Sequence, residues 1–315
     1  MRRLVILLVS VIISISTFSQ DTISYIKDEV ILKTETGDIS GTFYKPDLNS
    51  FPVALVIAGS GPTDRDGNAL ILGLKTDAYK MLAEHLAKNG IGCISYDKRG
   101  ILKSYKSGPK EADLRFEHYI NDVKEWVRFI KTEVNSTASY VIGHSEGAVI
   151  GLIAAQDIEL NGYISLAGPG RPAATVLKEQ LDGKMDIATL TEAYNIIESL
   201  EKGETVEDVS PALQVMFRKS VQPYLISWFK YDPSEEIKKL EMPVLIIQGK
   251  KDIQVYLTDA MFLSEAKPDA KLVLIDEMDH VLKDADKINP MKNYGDGSIP
   301  LNSVLKTEIL NFIKK

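Results

Sequence analysis

Short, continuous apolar runs alternate along the chain with amphipathic segments, and this alternation most restricts the possible fold. The runs cover residues 53–58, 91–96, 139–143, 163–167, 244–248 and 271–275. Uninterrupted apolar runs of this length are typical of strands that are buried on both faces of a sheet. Helical periodicity lies between them, for example near 76–88, 116–131 and 301–313. The sequence therefore predicts an α/β fold, with a mostly parallel sheet covered by helices on both faces.

Two regions depart from this alternation. Residues 29–46 alternate between apolar and polar, with Gly37-Asp38 between two apolar stretches, which predicts an antiparallel hairpin at the edge of the sheet. Residues 169–240 contain helical periodicity and several prolines but no run that resembles a buried strand. We predict that they form about four helices packed over one end of the sheet as a lid. The predicted core then comprises residues 21–168 and 241–315.

The first twenty residues have the pattern of a secretory signal peptide. Met1-Arg2-Arg3 is basic, residues 4–15 are mostly apolar, and Thr17 and Ser19 fit the small positions before a cleavage site near Ser19 or Gln20. The apolar run is shorter than the roughly 20 residues that a membrane span needs. We therefore expect an exported protein, periplasmic or secreted, without stable membrane insertion after cleavage. An uncleaved anchor is the alternative.

Composition excludes several function classes. The net charge of −7 offers no basic face for nucleic acid, and the single cysteine, Cys93, excludes an intrachain disulfide and a cysteine zinc site. Residues 64–68 resemble the start of a calcium loop, but Lys75 stands where the closing glutamate belongs, so a loop-stabilising role is expected. We expect no metal and no organic cofactor. No pattern in the sequence sets an oligomeric state.

The segment Gly143-His144-Ser145-Glu146-Gly147 matches G-x-S-x-G and lies between a predicted strand and a predicted helix. A serine on so sharp a turn is lifted clear of the sheet, and side chains at the two glycine positions would collide with nearby backbone. The serine hydroxyl also lies at a helix N-terminus, where developing negative charge is stabilised. We predict that Ser145 is a nucleophile.

A serine nucleophile needs a general base, and the chain has only four histidines. His85 and His118 lie within predicted helices, and His144 precedes the serine and should point away from it. His280, after the last buried strand, is the remaining candidate. Asp252 follows another strand and is the predicted partner that orients His280, because sites in open α/β sheets form at the carboxyl ends of strands. Asp276 and Asp279 are its competitors.

The oxyanion of a tetrahedral intermediate needs two hydrogen-bond donors. We predict the backbone N–H groups of Glu146, which follows the nucleophile, and of Ser60, in the glycine-rich loop after the first buried strand. Gly61 is the alternative to Ser60, since Pro62 has no N–H. The Glu146 carboxylate either interacts with the helix dipole or pairs with Arg65 or Arg99.

These motifs together resemble the α/β-hydrolases of the serine aminopeptidase-like (S33) kind, and most of all exported bacterial esterases with a helical lid. The residues behind the resemblance are 58–68, 96–100, 143–147, 248–252 and 279–280. One departure is Ala58, where many relatives have histidine. The resemblance implies a carboxylesterase-like serine hydrolase that cleaves small or short-chain esters through an acyl-enzyme.

Two alternatives remain open on the sequence. The first is an exo-acting serine peptidase or amidase, in which acidic residues of the predicted lid hold a free amino terminus; these are Glu198, Glu201, Glu204, Glu207 and Asp208. The second is a catalytically silent binding module on the same fold.

Overall fold

An eight-stranded sheet runs through this computed structural model, which describes residues 22–315. The strands are β1 (Tyr25–Thr34), β2 (Gly37–Pro46), β3 (Phe51–Ile57), β4 (Gly92–Tyr96), β5 (Ser136–His144), β6 (Gly162–Leu166), β7 (Val244–Gly249) and β8 (Lys271–Ile275). Their spatial order is β1-β2-β4-β3-β5-β6-β7-β8. The β1–β2 and β2–β4 pairs are antiparallel, and the other five pairs are parallel. The prediction of a mostly parallel sheet is confirmed.

The predicted edge hairpin is present as β1 and β2, but its turn is shifted. The turn falls at residues 35–36, and Gly37 is already in β2, paired with Thr34. Gly37 has a φ of 129°, and a Cβ on it would lie 2.9 Å from the carbonyl oxygen of Lys106. The predicted turn at Gly37-Asp38 is therefore wrong. The chain needs a glycine at this position because a distant loop packs against it and because its φ is positive.

Helices cover both faces of the sheet. They are α1 (Ala78–Lys88), α2 (Phe116–Glu133), α3 (Glu146–Ala154), α4 (Ala173–Leu181), α5 (Ile187–Glu201), α6 (Gln214–Phe217), α7 (Gln222–Trp228), α8 (Pro233–Ile237), α9 (Leu257–Ala266), α10 (Lys292–Gly295) and α11 (Ser303–Ile313). One hydrophobic cluster joins α1 and α11 to the sheet through residues such as Leu82 and Leu305. A second joins α2, α3 and α9 to it through residues such as Trp126, Val149 and Leu263. These two layers confirm the predicted α/β architecture.

The chain between β6 and β7 has no strand and contains α4 to α8, five helices where we predicted about four. Pro223 and Pro233 lie in the first turns of α7 and α8, where a proline costs no helical hydrogen bond. The insertion packs on the core through aromatic rings, and Trp228 stacks on Phe116 of α2 with ring centroids 5.6 Å apart. That this insertion acts as a lid stays a prediction.

Within residues 22–315, no helix combines the length and apolar character needed to cross a membrane. The predicted signal peptide, residues 1–20, lies outside the described residues.

Candidate active site

The carboxyl ends of five strands bring the predicted site residues, together with Lys98, to one edge of the sheet. Residues 59–61 follow β3, Lys98 follows β4, Ser145 follows β5, Asp252 follows β7 and His280 follows β8. In parallel sheets, this edge gathers loops that are distant in sequence, which is why sites form there.

Ser145 occupies a strained turn between β5 and α3, with φ 55° and ψ −125°. A Cβ on Gly143 would lie 2.3 Å from the carbonyl oxygen of Gly147, and one on Gly147 would lie 2.4 Å from that of Ile57. Both glycines are therefore required by close backbone contacts, as the motif predicted. The turn presents Ser145 directly before the N-terminus of a helix, next to backbone N–H groups that have no intrahelical partner.

Asp252 and His280 lie together at the ends of neighbouring strands. The Nδ1 atom of His280 is 2.8 Å from Oδ2 of Asp252, and both residues are buried. Asp252 also accepts hydrogen bonds from the backbone N–H groups of Gln254 and Val255. Burial raises the pKa of the Asp252 carboxyl, but His280 and these donors outweigh it, so the pKa lies below its ordinary value. An ionised Asp252 holds the His280 proton on Nδ1 and leaves Nε2 free to accept one.

The competing carboxylates bind elsewhere. Asp276 is exposed and pairs with Lys250 at 2.6 Å. Asp279 is buried, and it accepts hydrogen bonds from the Asn293 side chain at 2.6 Å and from the Lys283 backbone N–H at 3.0 Å. Asp252 is thus the carboxylate that contacts His280.

His144 does not donate to or accept from Ser145. Its Nδ1 lies 2.7 Å from the hydroxyl of Tyr79, and its Nε2 lies 2.7 Å from the backbone carbonyl oxygen of His280. Because the carbonyl can only accept, Nε2 carries the proton and Nδ1 accepts from the tyrosine. Burial, followed by the neighbouring His280, lowers the pKa of His144 to about 3. The sequence indicated the direction of His144 but not its partner Tyr79, which is 65 residues away.

A cavity of about 260 Å³ holds Ser145 and His280 together. Its other lining residues are His144, Gln254, Val281, Tyr294 and residues between 59 and 79 in the chain from β3 to the start of α1; they include Leu72 and Leu74 but no Asp or Glu. None of its lining residues belongs to the insertion between β6 and β7. That insertion instead lines a second cavity of about 760 Å³, which shares only Gly61 with the first.

The predicted oxyanion donors lie beside the nucleophile. A Cβ built on Gly59 would be 3.3 Å from Cβ of Ser145, so the loop after β3 packs directly against the serine. The Gly59 N–H donates to the Tyr79 hydroxyl at 3.0 Å. In the part of the chain that the structure describes, the N–H groups of Ser60, Gly61 and Glu146 donate to no protein acceptor.

The Glu146 carboxylate pairs with neither Arg65 nor Arg99, so that alternative was wrong. It accepts from Lys98 Nζ at 3.1 Å and from the Tyr224 hydroxyl at 2.5 Å. The two arginines have other carboxylate partners, which occupy their guanidinium groups. Lys98 and Tyr224 were missed because nothing in the spacing of these residues marks them as neighbours.

Arg65, in the loop after β3, forms an ion pair and a backbone hydrogen bond with Asp97 in the loop after β4. Its Nη2 lies 2.7 Å from Oδ2 of Asp97, and its backbone N–H donates to Oδ1 of the same carboxylate at 3.0 Å. Asp64 accepts hydrogen bonds from the N–H groups of Asp66 and Asn68. The segment that resembles a calcium loop is therefore closed by its own side chains. Among residues 22–315, no three His, Cys, Asp or Glu side chains are grouped as metal ligands.

Comparison with known protein sequences finds partial matches to hydrolases. The family model described as serine aminopeptidase, S33, matches residues 72–189. Esterase EstD of Thermotoga maritima is 27% identical over 245 residues, which cover 74% of this chain and 55% of EstD. The chain spans about half, or less, of the length of the curated relatives that it matches.

Solved structures share the fold over nearly the whole chain. Est1E of Butyrivibrio proteoclasticus, solved with ferulic acid, has a TM-score of 0.60 at 19% identity and covers 91% of this chain and all of its own. The alpha/beta hydrolase GrgF of a Penicillium species has a TM-score of 0.60 at 18% identity, covering 92% of this chain and 98% of its own. By its sheet order, the sharp turn at Ser145 and these neighbours, the chain has the α/β-hydrolase fold, and its sequence is similar to that of an esterase.

Proposed function

We propose that this chain is a serine hydrolase that cleaves carboxylic esters through an acyl-enzyme on Ser145. His280 Nε2 removes the hydroxyl proton as Ser145 Oγ bonds to the ester carbonyl carbon, and the carbonyl electron pair moves to oxygen. The N–H groups of Ser60 and Glu146 stabilise this oxyanion. When the intermediate collapses, the bond to the alcohol oxygen breaks and His280 returns the proton to it.

Deacylation repeats these steps with water. His280 removes a proton from water as its oxygen attacks the acyl carbon, and the second collapse returns the proton to Ser145 Oγ and releases the acid. Asp252 stabilises the imidazolium that forms twice in each cycle. Its pKa lies below the ordinary range, which keeps it ionised throughout the working pH range.

The observation that carries this proposal is the Asp252–His280 hydrogen bond of 2.8 Å, because His280 and Ser145 line the same cavity. A histidine that has one nitrogen fixed by a buried carboxylate, and that shares a cavity with a serine, can activate the serine hydroxyl through its other nitrogen. A binding module without catalysis has no need of this pairing.

The cavity favours small ester substrates over peptides with a free amino terminus. A volume of about 260 Å³ with apolar residues at one side suits a short acyl chain. A peptidase would need an anion close to Ser145, but the five acidic residues of the insertion that were considered for this role are exposed and lie outside this cavity. Glu201, for example, pairs with Lys178 on the neighbouring helix.

The first test is labelling with a fluorophosphonate, followed by peptide mass spectrometry. We expect a single adduct on Ser145, and a fall in turnover of acetate and butyrate nitrophenyl esters of at least about 10⁴-fold in Ser145→Ala. Ser199→Ala, on α5 and outside both cavities, is the matched control. Full activity in Ser145→Ala would refute the proposal, and rapid cleavage of aminoacyl anilides would favour the peptidase instead.

We infer further that residues 169–240 act as a lid over the second cavity and that residues 1–20 direct export. The position of Tyr224 and Arg218 in the wall of that cavity supports the first inference. Altered preference for large acyl groups after substitution at Arg218 would test it.

The composition of residues 1–20 supports the second inference, that these residues direct export. N-terminal sequencing of the exported protein would test it by locating the cleavage site.

A further inference from the structure

Lys98 is a buried cation beside the candidate active site, and the mechanism above does not use it. Only 2% of the residue is exposed. Its Nζ donates to the carbonyl oxygen of Gly59 at 2.6 Å and to Oε2 of Glu146 at 3.1 Å. It also lies 5.2 Å from the ring centroid of Tyr119, which adds a favourable cation–π contact.

The carbonyl that Lys98 contacts belongs to a particular peptide group. The Gly59 C=O and the Ser60 N–H are the two ends of one planar peptide unit. An ammonium on the oxygen fixes the plane of that unit and draws electron density from its nitrogen, so the N–H becomes a stronger donor. The same contact gives a reason to prefer Ser60 over Gly61 as the donor.

The second contact of Lys98 reaches the other predicted donor. Glu146 supplies its backbone N–H to the oxyanion, while its side chain receives the ammonium of Lys98 and the hydroxyl of Tyr224. One buried cation therefore bridges the loop after β3 and the first residue of α3. The distance between the two N–H donors, those of Ser60 and Glu146, depends on this bridge.

We propose that Lys98 is a positioning residue that aligns and polarises the oxyanion donors. The proposal rests on the ester hydrolase function proposed above. Removal of a complete oxyanion donor costs about 10²–10³-fold in kcat, so loss of a group that only aligns and polarises the donors should cost about 10- to 100-fold. Tyr224 links this alignment to the helical insertion.

A simpler role for Lys98 is to neutralise Glu146. A buried carboxylate that loses its partner is strongly destabilising, so Lys98→Met alone would lower stability under either explanation. The double variant Lys98→Met/Glu146→Gln separates the two roles, because it removes both charges and keeps the backbone N–H of residue 146. A neutralising role predicts that the double variant recovers stability and activity together.

The test measures kcat, KM and the melting temperature, together with the affinity of a boronic acid that forms a tetrahedral adduct with Ser145. In Lys98→Met we expect kcat to fall about 10- to 100-fold with KM changed by less than about threefold, and boronic acid binding to weaken by the same factor as kcat. In the double variant we expect the melting temperature to recover while kcat and boronic acid affinity stay low. Lys267→Met, which removes another buried lysine outside the site, is the control and should keep wild-type kinetics.

Wild-type kcat and boronic acid affinity in either Lys98 variant would overturn the proposal. An effect on KM alone would also overturn it, since the oxyanion is absent from the bound ground-state ester and forms only in the transition state and the tetrahedral intermediate. If wild type itself turned over no ester and accepted no fluorophosphonate, the ester hydrolase function would fail and the role of Lys98 with it. Normal turnover by wild type and by both variants would refute only the role of Lys98.

Discussion

The enclosed imidazole of His144 makes the stability of this protein sensitive to mild acid. Its two nitrogens are held by Tyr79 and by the backbone of His280, and burial lowers the pKa of His144 to about 3. The same side chain in an unfolded chain has a pKa near 6.5. At a pH between these two values, the His144 imidazole is therefore protonated in the unfolded state but neutral in the folded state.

The size of the effect follows from linkage. Above a pH of about 6.5 neither state binds the proton at His144, and the free energy of unfolding is unaffected. As pH falls below that value, protonation of the unfolded chain lowers the free energy of unfolding, until the folded imidazole also titrates near pH 3. At about pH 5 the unfolded state is favoured about 30-fold by this residue alone, or about 2 kcal/mol.

The assay is equilibrium urea unfolding at about pH 8 and pH 5, with wild type and His144→Gln. Glutamine keeps a donor for the His280 carbonyl but does not titrate. The variant is expected to lose stability at both pH values, but wild type should lose about 2 kcal/mol more than the variant between them. Other titrating groups cancel in this difference of differences. Equal losses in the two proteins would refute the inference that His144 stays neutral in the folded state.

Three further substitutions test other contacts of the site. Asp252→Asn should lower kcat for ester hydrolysis about 10⁴-fold, because an amide neither fixes the tautomer of the histidine nor stabilises its cation; a loss under about tenfold would contradict the assignment. Gly147→Ala places a methyl group 2.4 Å from the Ile57 carbonyl oxygen and should cost about 1–3 kcal/mol or more, seen as a lower melting temperature; an unchanged value would contradict this clash. Arg65→Met leaves the buried Asp97 carboxylate without its 2.7 Å partner and should cost about 3–5 kcal/mol in urea unfolding; a loss below about 1 kcal/mol would show that the pair contributes little.

The architecture was predictable where one physical signal acts over a short stretch of chain. Strands that are buried on both faces must be apolar at consecutive positions, so runs such as 53–58 and 244–248 locate β3 and β7 to within two residues at each end. Periodicity failed for α6, which has only four residues and is too short to show a period. The turn prediction failed at Gly37, because the residue that makes glycine necessary there, Lys106, is distant in the chain.

Some contacts of the site could also be predicted from the sequence, and others could not. Elimination among four histidines and position at strand ends led to Asp252 and His280. The structure places Oδ2 of Asp252 2.8 Å from Nδ1 of His280, although the catalytic roles of these residues stay predictions. The partners of charged loop residues could not be predicted. The adjacent residues Asp97, Lys98 and Arg99 contact three different partners, and the turn of the loop after β4 decides which side chain points where.

The contacts around Ser145 join parts of the chain that are far apart, and this sets when the proposed site can form during folding. His144 and the carbonyl oxygen of His280 are separated by 136 residues, and Glu146 and Tyr224 by 78. Long loops must close before such contacts return any free energy, which makes them late events in folding. A nascent chain that has completed β5 contains Ser145's turn but not yet the imidazole of His280, the proposed general base. The proposed site therefore forms only when the sheet is complete, after the last strand, β8, has joined it.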